Sequence, residues 1–250
     1  MDFIATLDAL RWVALSFAAV LIGLAKAGLD GGALIAVPLL AALFGAKASS
    51  GILLGVLITA DLVAVVSYRK SVSVAHLGRT LPWALAGILL GVLVGGAIPD
   101  RAFRLVMSAF ILLSAALMAV RELRGGTFKL SENWWTAAPL GLLAGFASMV
   151  GNAAGPVMGL YLLSSGLAKS GIIGTSVWFF CIINLVKVPF HVFSWHTITA
   201  GTLLADLAVA PIAVAATLIG VRVVRLIPEK PYRIFLIALA LVGGLYLGLR

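Results

Sequence analysis

Gly28-Leu29-Asp30-Gly31-Gly32 interrupts an apolar run near the N-terminus, and Gly151-Asn152-Ala153-Ala154-Gly155 interrupts another in the second half of the chain. The two stretches are related by a shift of 123 residues, which also carries Gly51 onto Gly174, Asp61 onto Asn184 and Tyr68 onto His191. Beyond the next loop the shift becomes 129. It then carries Gly91 onto Gly220, and Ile98-Pro99-Asp100-Arg101-Ala102-Phe103-Arg104 onto Ile227-Pro228-Glu229-Lys230-Pro231-Tyr232-Arg233. Apolar composition alone does not keep a Pro-acid-base-x-aromatic-Arg order in register. The chain is therefore read as a duplication, with a first repeat over 1–124, a linker over 125–133 and a second repeat over 134–250.

The solvent for these repeats is lipid. Of 250 residues, 62% are hydrophobic and 11% are charged, too few charges to cover that much apolar surface in water. Apolar runs fall at about 12–27, 33–44, 50–68, 80–97, 102–120, 135–150, 156–167, 171–192, 199–221 and 232–249. They are too long and too uniform for barrel strands, so an all-α polytopic membrane protein with eight to ten membrane segments is expected. The net charge of +9 sits mostly in short loops, where it sets topology and meets headgroups; nucleic acid is not an expected partner. Asp2 and Asp8 stand where a signal peptide would carry basic residues, so the whole chain is expected to stay in the membrane. A single cysteine, Cys181, rules out an intrachain disulfide and is read as packing. No metal or other cofactor is expected, and no nucleophile elbow or P-loop points to an enzyme.

Each Gly-rich break admits one long broken crossing or a hairpin of two short helices. The piece after the first break, 12 apolar residues, is about 18 Å long and too short to cross alone. Loop charge separates the two topologies. One crossing per break gives parallel halves with eight Lys or Arg on each side. A hairpin gives inverted halves with eleven on one side and five on the other. The positive-inside rule favours the hairpin, the inverted arrangement, and both termini outside.

Paired breaks at matching positions mark a candidate midplane site, because freed N–H groups at a half-helix start attract anions. The competing reading is close packing of helices through small residues. Backbone groups at Gly31, Gly32, Ala154 and Gly155 are the candidate anion ligands. Asn152, Ser176 and Asn184 are candidate hydrogen-bond donors, and Lys26 and Lys187 candidate charges. Asp61 is the proton-coupling candidate, since a short acid at membrane depth has no stem with which to reach water. Either lysine could instead snorkel, or pair with Asp61 or Asp30. Ser176, Asn184, Lys187 and His191 share one helical stripe. Asp206 and Pro211 share a helix, as a gating kink or a tolerated one. His76 and His196 are expected to be solvated. Trp12, Trp83, Trp134, Trp135 and Trp195 are expected to be interfacial anchors.

Gly-Leu-Asp-Gly-Gly with Pro38-Leu39-Leu40 after it, the Gly151 to Gly155 motif, and Gly174-Thr175-Ser176 together resemble the TauE/SafE sulfite exporter family, also called the 4-toluene sulfonate uptake permease family, over nearly the full length. The resemblance implies transport of sulfite or organosulfonates across the cell inner membrane. The second motif departs from a glycine-rich run by reading Gly-Asn-Ala-Ala-Gly. The expected function is a multi-pass secondary transporter working by alternating access on a small anionic substrate, with a proton or sodium as candidate coupling ion. A carrier of another small metabolite, a membrane-embedded enzyme and an assembly subunit are the alternatives.

Overall fold

The computed structural model describes residues 3–27, 32–124, 134–223 and 229–249. Their regular structure is helical throughout. The helices are α1 (Ala9–Lys26), α2 (Gly32–Phe44), α3 (Ala46–Tyr68), α4 (Val74–Ala97) and α5 (Asp100–Leu123), then α6 (Trp134–Gly151), α7 (Gly155–Leu163), α8 (Lys169–Pro189), α9 (Ala200–Val223) and α10 (Glu229–Leu249). Six of them are long and apolar enough to cross a bilayer: α1, α3, α4, α5, α8 with the wide turn that continues it, and α9. Their outer faces carry large apolar residues such as Phe17, Val66, Leu93 and Leu207, as lipid contact requires.

Both breaks separate two helices, and the first pair folds back as a hairpin. Phe44, at the end of α2, stacks on Phe3 at 5.9 Å and lies under the Arg11 guanidinium at 5.7 Å, next to the start of α1. At 13 and 9 residues, α2 and α7 measure about 20 and 14 Å, short of a full crossing. Helices α2, α4, α6 and α9 each contain a proline, as membrane helices tolerate more readily than soluble ones.

The packing interleaves the two halves. Helix α1 runs beside α9, with Gly23 against Ala213 and Ala216 and Gly220 against Leu24 and Ala27. Helix α6 runs beside α4 in the same way, with Gly87 against Leu142 and Phe146 and Gly91 against Met149. The repeat shift carries one set of contacts onto the other. Helices α3 and α8 are antiparallel: Gly51, early in α3, touches Thr197 beyond the end of α8, and Gly174, early in α8, touches Ser71 beyond the end of α3. Helices α5 and α10 are antiparallel too, with Ser108 against Gly248 and Leu112 against Gly244.

The α4–α6 contact depends on missing side chains. A Cβ at Gly145 would land on the Ala84 carbonyl, and one at Gly87 on the Leu142 carbonyl. Gly145→Ala must push two backbones apart, at about 1–3 kcal/mol. The expected result is a melting temperature several degrees lower in detergent. An unchanged melting temperature would count against this packing.

Two local expectations are corrected. His76 is not solvated: it is 8% exposed on α4, with Nδ1 hydrogen-bonded to Ser73 Oγ at 2.8 Å. Trp195 is not an interfacial anchor. Pro189 leads into a wide turn, Phe190–Ser194, which folds Trp195 inward against Phe103 and lets its Nε1 donate to the Val92 carbonyl at 3.2 Å. His191 lies in the same turn, fully buried, with Nδ1 against Thr197 Oγ1 at 2.7 Å. His196 is exposed and Cys181 is buried, as the sequence suggests.

Candidate functional site

Lys26 is the last residue of α1, at the lip of the first break. Its ammonium pairs with Asp61 Oδ1 at 2.7 Å and lies 4.5 Å from the centroid of the Phe180 ring. Asp61 is entirely buried on α3. Its Oδ2 accepts from Asn184 Nδ2 on α8 at 2.7 Å. This bond joins the two halves at positions that the repeat shift makes equivalent. Lys26 therefore takes the ion pair rather than snorkelling, and its stem is only 11% exposed.

Lys187 lies one turn beyond Asn184 and is fully buried, so it does not snorkel either. Its Nζ donates to the Ser148 carbonyl at 3.0 Å, to Ser148 Oγ at 3.0 Å and to Asn152 Oδ1 at 2.7 Å. Ser148 is in the last turn of α6, where the helix dipole is negative, and its carbonyl also accepts from the Asn152 N–H at 3.1 Å. Lys187 thus caps the C-terminus of α6. The corresponding carbonyl end of α1 is capped by a neutral group, with Tyr68 Oη donating to the Ala27 carbonyl at 3.2 Å. All three acceptors around Lys187 are uncharged, and among the described residues no carboxylate pairs with it.

The departure in the second motif has a physical reason. Asn152 has φ +49°, the left-handed conformation that ends a helix and that asparagine tolerates better than most residues. Both ends of its amide are engaged: Oδ1 accepts from Lys187, and Nδ2 donates to the Ser50 carbonyl of α3 at 3.2 Å. Glycine would supply the turn but not the bridge. Asn152 joins α6, α8 and α3.

The candidate backbone ligands divide. Gly31 lies outside the described residues. Gly32 is buried and pressed against the Leu21 carbonyl, the close-packing role. Ala154 and Gly155 open α7, and a Cβ at Gly155 would find no atom within 4 Å, so that helix start faces open space. Ser176 is part-exposed on α8 and is not brought into either cluster. Sequence reasoning missed Ser148, Ser50 and Phe180. The signals were available only for Ser148, four residues before Asn152 at a helix end, and for Phe180, one turn before Asn184. Ser50 contributes a carbonyl, which no sequence pattern marks.

The described residues hold no group of three metal-ligating side chains. Lys26, Asp61 and Lys187 together bury two amines and one carboxyl group; with both amines protonated the cluster, which spans both halves, carries one positive charge beyond the Lys26–Asp61 pair. Such a cluster suits an anion. Comparison with curated proteins and with solved structures gave no match. The family model described as Sulfite exporter TauE/SafE matches residues 15–247, and with six membrane-capable helices around this cluster, the chain belongs to that family of membrane transporters.

Proposed function

We propose that the protein is a secondary transporter of small sulfur-containing anions, sulfite or organosulfonates, in the cell inner membrane. The observation that carries this reading is Lys187: fully buried, bonded to three neutral oxygens, with the nearby Asp61 carboxylate already paired to Lys26. A buried charge without a counter-ion costs several kcal/mol. An anion bound beside it offsets that cost. Lys187 and Lys26 supply charge, Asn184 a side-chain amide, and the start of α7 at Ala154 and Gly155 the backbone N–H groups. Asn152 acts mainly by positioning Lys187. Asp61 holds Lys26 in the resting site, so an arriving anion competes with a resident carboxylate for that ammonium.

Alternating access between inverted halves fits this arrangement. The antiparallel contact of α3 with α8, at positions the repeat makes equivalent, supports a two-fold axis across these helices and hence within the membrane plane. The interleaving of α1 with α9 and α6 with α4 supports the two-repeat reading.

Thermal unfolding of the purified protein against sulfite, sulfate and a panel of organosulfonates tests the substrate class. A ligand at about a hundred times its Kd adds about 2.7 kcal/mol, or several degrees at this chain length. Stabilisation by carboxylate metabolites alone would move the substrate class, and no stabilisation by any anion would refute the site.

A further inference from the structure

The anion cluster leaves one buried acid unused. Asp206 on α9 is 5% exposed. Its carboxylate sits against Gly55 of α3, where any Cβ would overlap Oδ2, and its Oδ1 has no hydrogen-bond partner. The charged residues on the elements packed against α9 are engaged elsewhere. On α1, Arg11 donates to the Thr6 carbonyl at 2.6 Å, and Lys26 pairs with Asp61. On α3, Lys47 reaches the Ile98 carbonyl at 3.4 Å, and Asp61 holds Lys26 and Asn184. The turn Phe3–Thr6 carries no charge. An ionised carboxylate here would be a bare charge away from water, whereas a protonated one is neutral.

Two further features distinguish Asp206 from a structural acid. Thr199, Thr202 and Asp206 follow spacings of three and four, one polar stripe leading from the start of α9 to the carboxyl over about 10 Å. Thr199 and Thr202 are already hydrogen-bonded to each other there, with Thr202 Oγ1 accepting from the Thr199 N–H at 2.8 Å. The carboxyl also lies between helices of opposite halves, on the α3 that carries Asp61 six residues further on. The repeat shift places Leu77 at the equivalent position, so the acid belongs to the second half alone.

From this geometry we propose that Asp206 binds the proton carried together with the anion, taking it on a carboxyl oxygen from water at the Thr199 end and returning it as carboxylate when the α3–α9 contact opens. The inference rests on the transporter reading above. Asp61, the coupling candidate from sequence, already has a cation and an amide as partners; Asp206 has neither.

Proteoliposomes and methanesulfonate, an anion whose charge does not vary near neutral pH, supply the test. With one proton per anion, an inside-alkaline gradient of one pH unit drives roughly tenfold accumulation. Wild type is expected to reach it. Asp206→Asn is expected to show none, while exchange of labelled for unlabelled methanesulfonate, which needs no net proton, reports that the variant folds. Asp206→Ser is the second variant if Asn is not tolerated. Independently, infrared spectra at neutral pH should contain a carboxylic-acid carbonyl band that shifts in heavy water, is lost in Asp206→Asn and persists in Asp61→Asn. Accumulation by Asp206→Asn equal to wild type, or survival of the band, overturns the proposal. If wild type moves neither methanesulfonate nor sulfite nor any organosulfonate of the panel, the transporter reading fails, and the infrared measurement alone decides whether Asp206 carries a proton.

Discussion

Lys187→Met is expected to abolish both transport and stabilisation by anions while the unliganded protein still folds. The substitution leaves the Ser148 hydroxyl and Asn152 Oδ1 without that donor, at about 1–3 kcal/mol per unsatisfied group, while the Ser148 carbonyl keeps the Asn152 N–H. It also removes a buried ammonium that no carboxylate balances, which returns several kcal/mol. The two effects oppose each other, so the melting temperature without ligand shifts by only a few degrees. The bound anion has no such offset. Losing a buried charge partner costs about 2–5 kcal/mol, which is roughly 300-fold in apparent affinity at mid-range. Melting curves of wild type and variant, with and without sulfite, separate the two effects. Wild-type stabilisation by sulfite in Lys187→Met would remove Lys187 from the site.

Asp61→Ala should have the largest effect on stability. It strips the counter-ion from Lys26, whose ammonium lies over the Phe180 ring, and the acceptor from Asn184. Breaking a buried pair from one side costs about 3–5 kcal/mol, or roughly 10 °C for a chain of this size. Lys26→Met in the same chain should restore most of that loss, because the uncompensated charge goes with it. Additive effects of the two substitutions in a double-mutant cycle would show that the pair is not coupled.

Much of this architecture was legible in the chain. The length and apolarity of the runs gave eight to ten helical segments, because in lipid an apolar run has few alternatives to a helix. The Gly-rich breaks were legible because a stretch such as Gly151 to Gly155 cannot continue a helix cheaply. Asp61 and Asn184 were legible as equivalent positions because the repeat shift superposes them, but not as hydrogen-bond partners. What the chain hid was direction. Nothing in a linear stripe says that Lys187 turns back to the end of α6, or that the wide turn after Pro189 folds Trp195 inward. The role of Asn152 was also hidden, since a polar residue in a break reads equally as a ligand or as a brace. Asp206 stood out as an acid in an apolar helix, but its fit against Gly55 links residues far apart in sequence.

The interleaving of α1 with α9 and of α6 with α4 has a consequence for how the protein is made. Synthesis delivers α1 first and α9 near the end, so the first helix waits in the bilayer for its neighbour while most of the chain is still on the ribosome. Helix α6 waits for nothing, because α4 has already been inserted. Lys26 and Asp61 emerge close together and can neutralise each other early, which spares the waiting helix an unpaired charge. Neither half carries its own closing helix, so a gene cut at the linker should yield two fragments that are each incomplete and that assemble only when produced together.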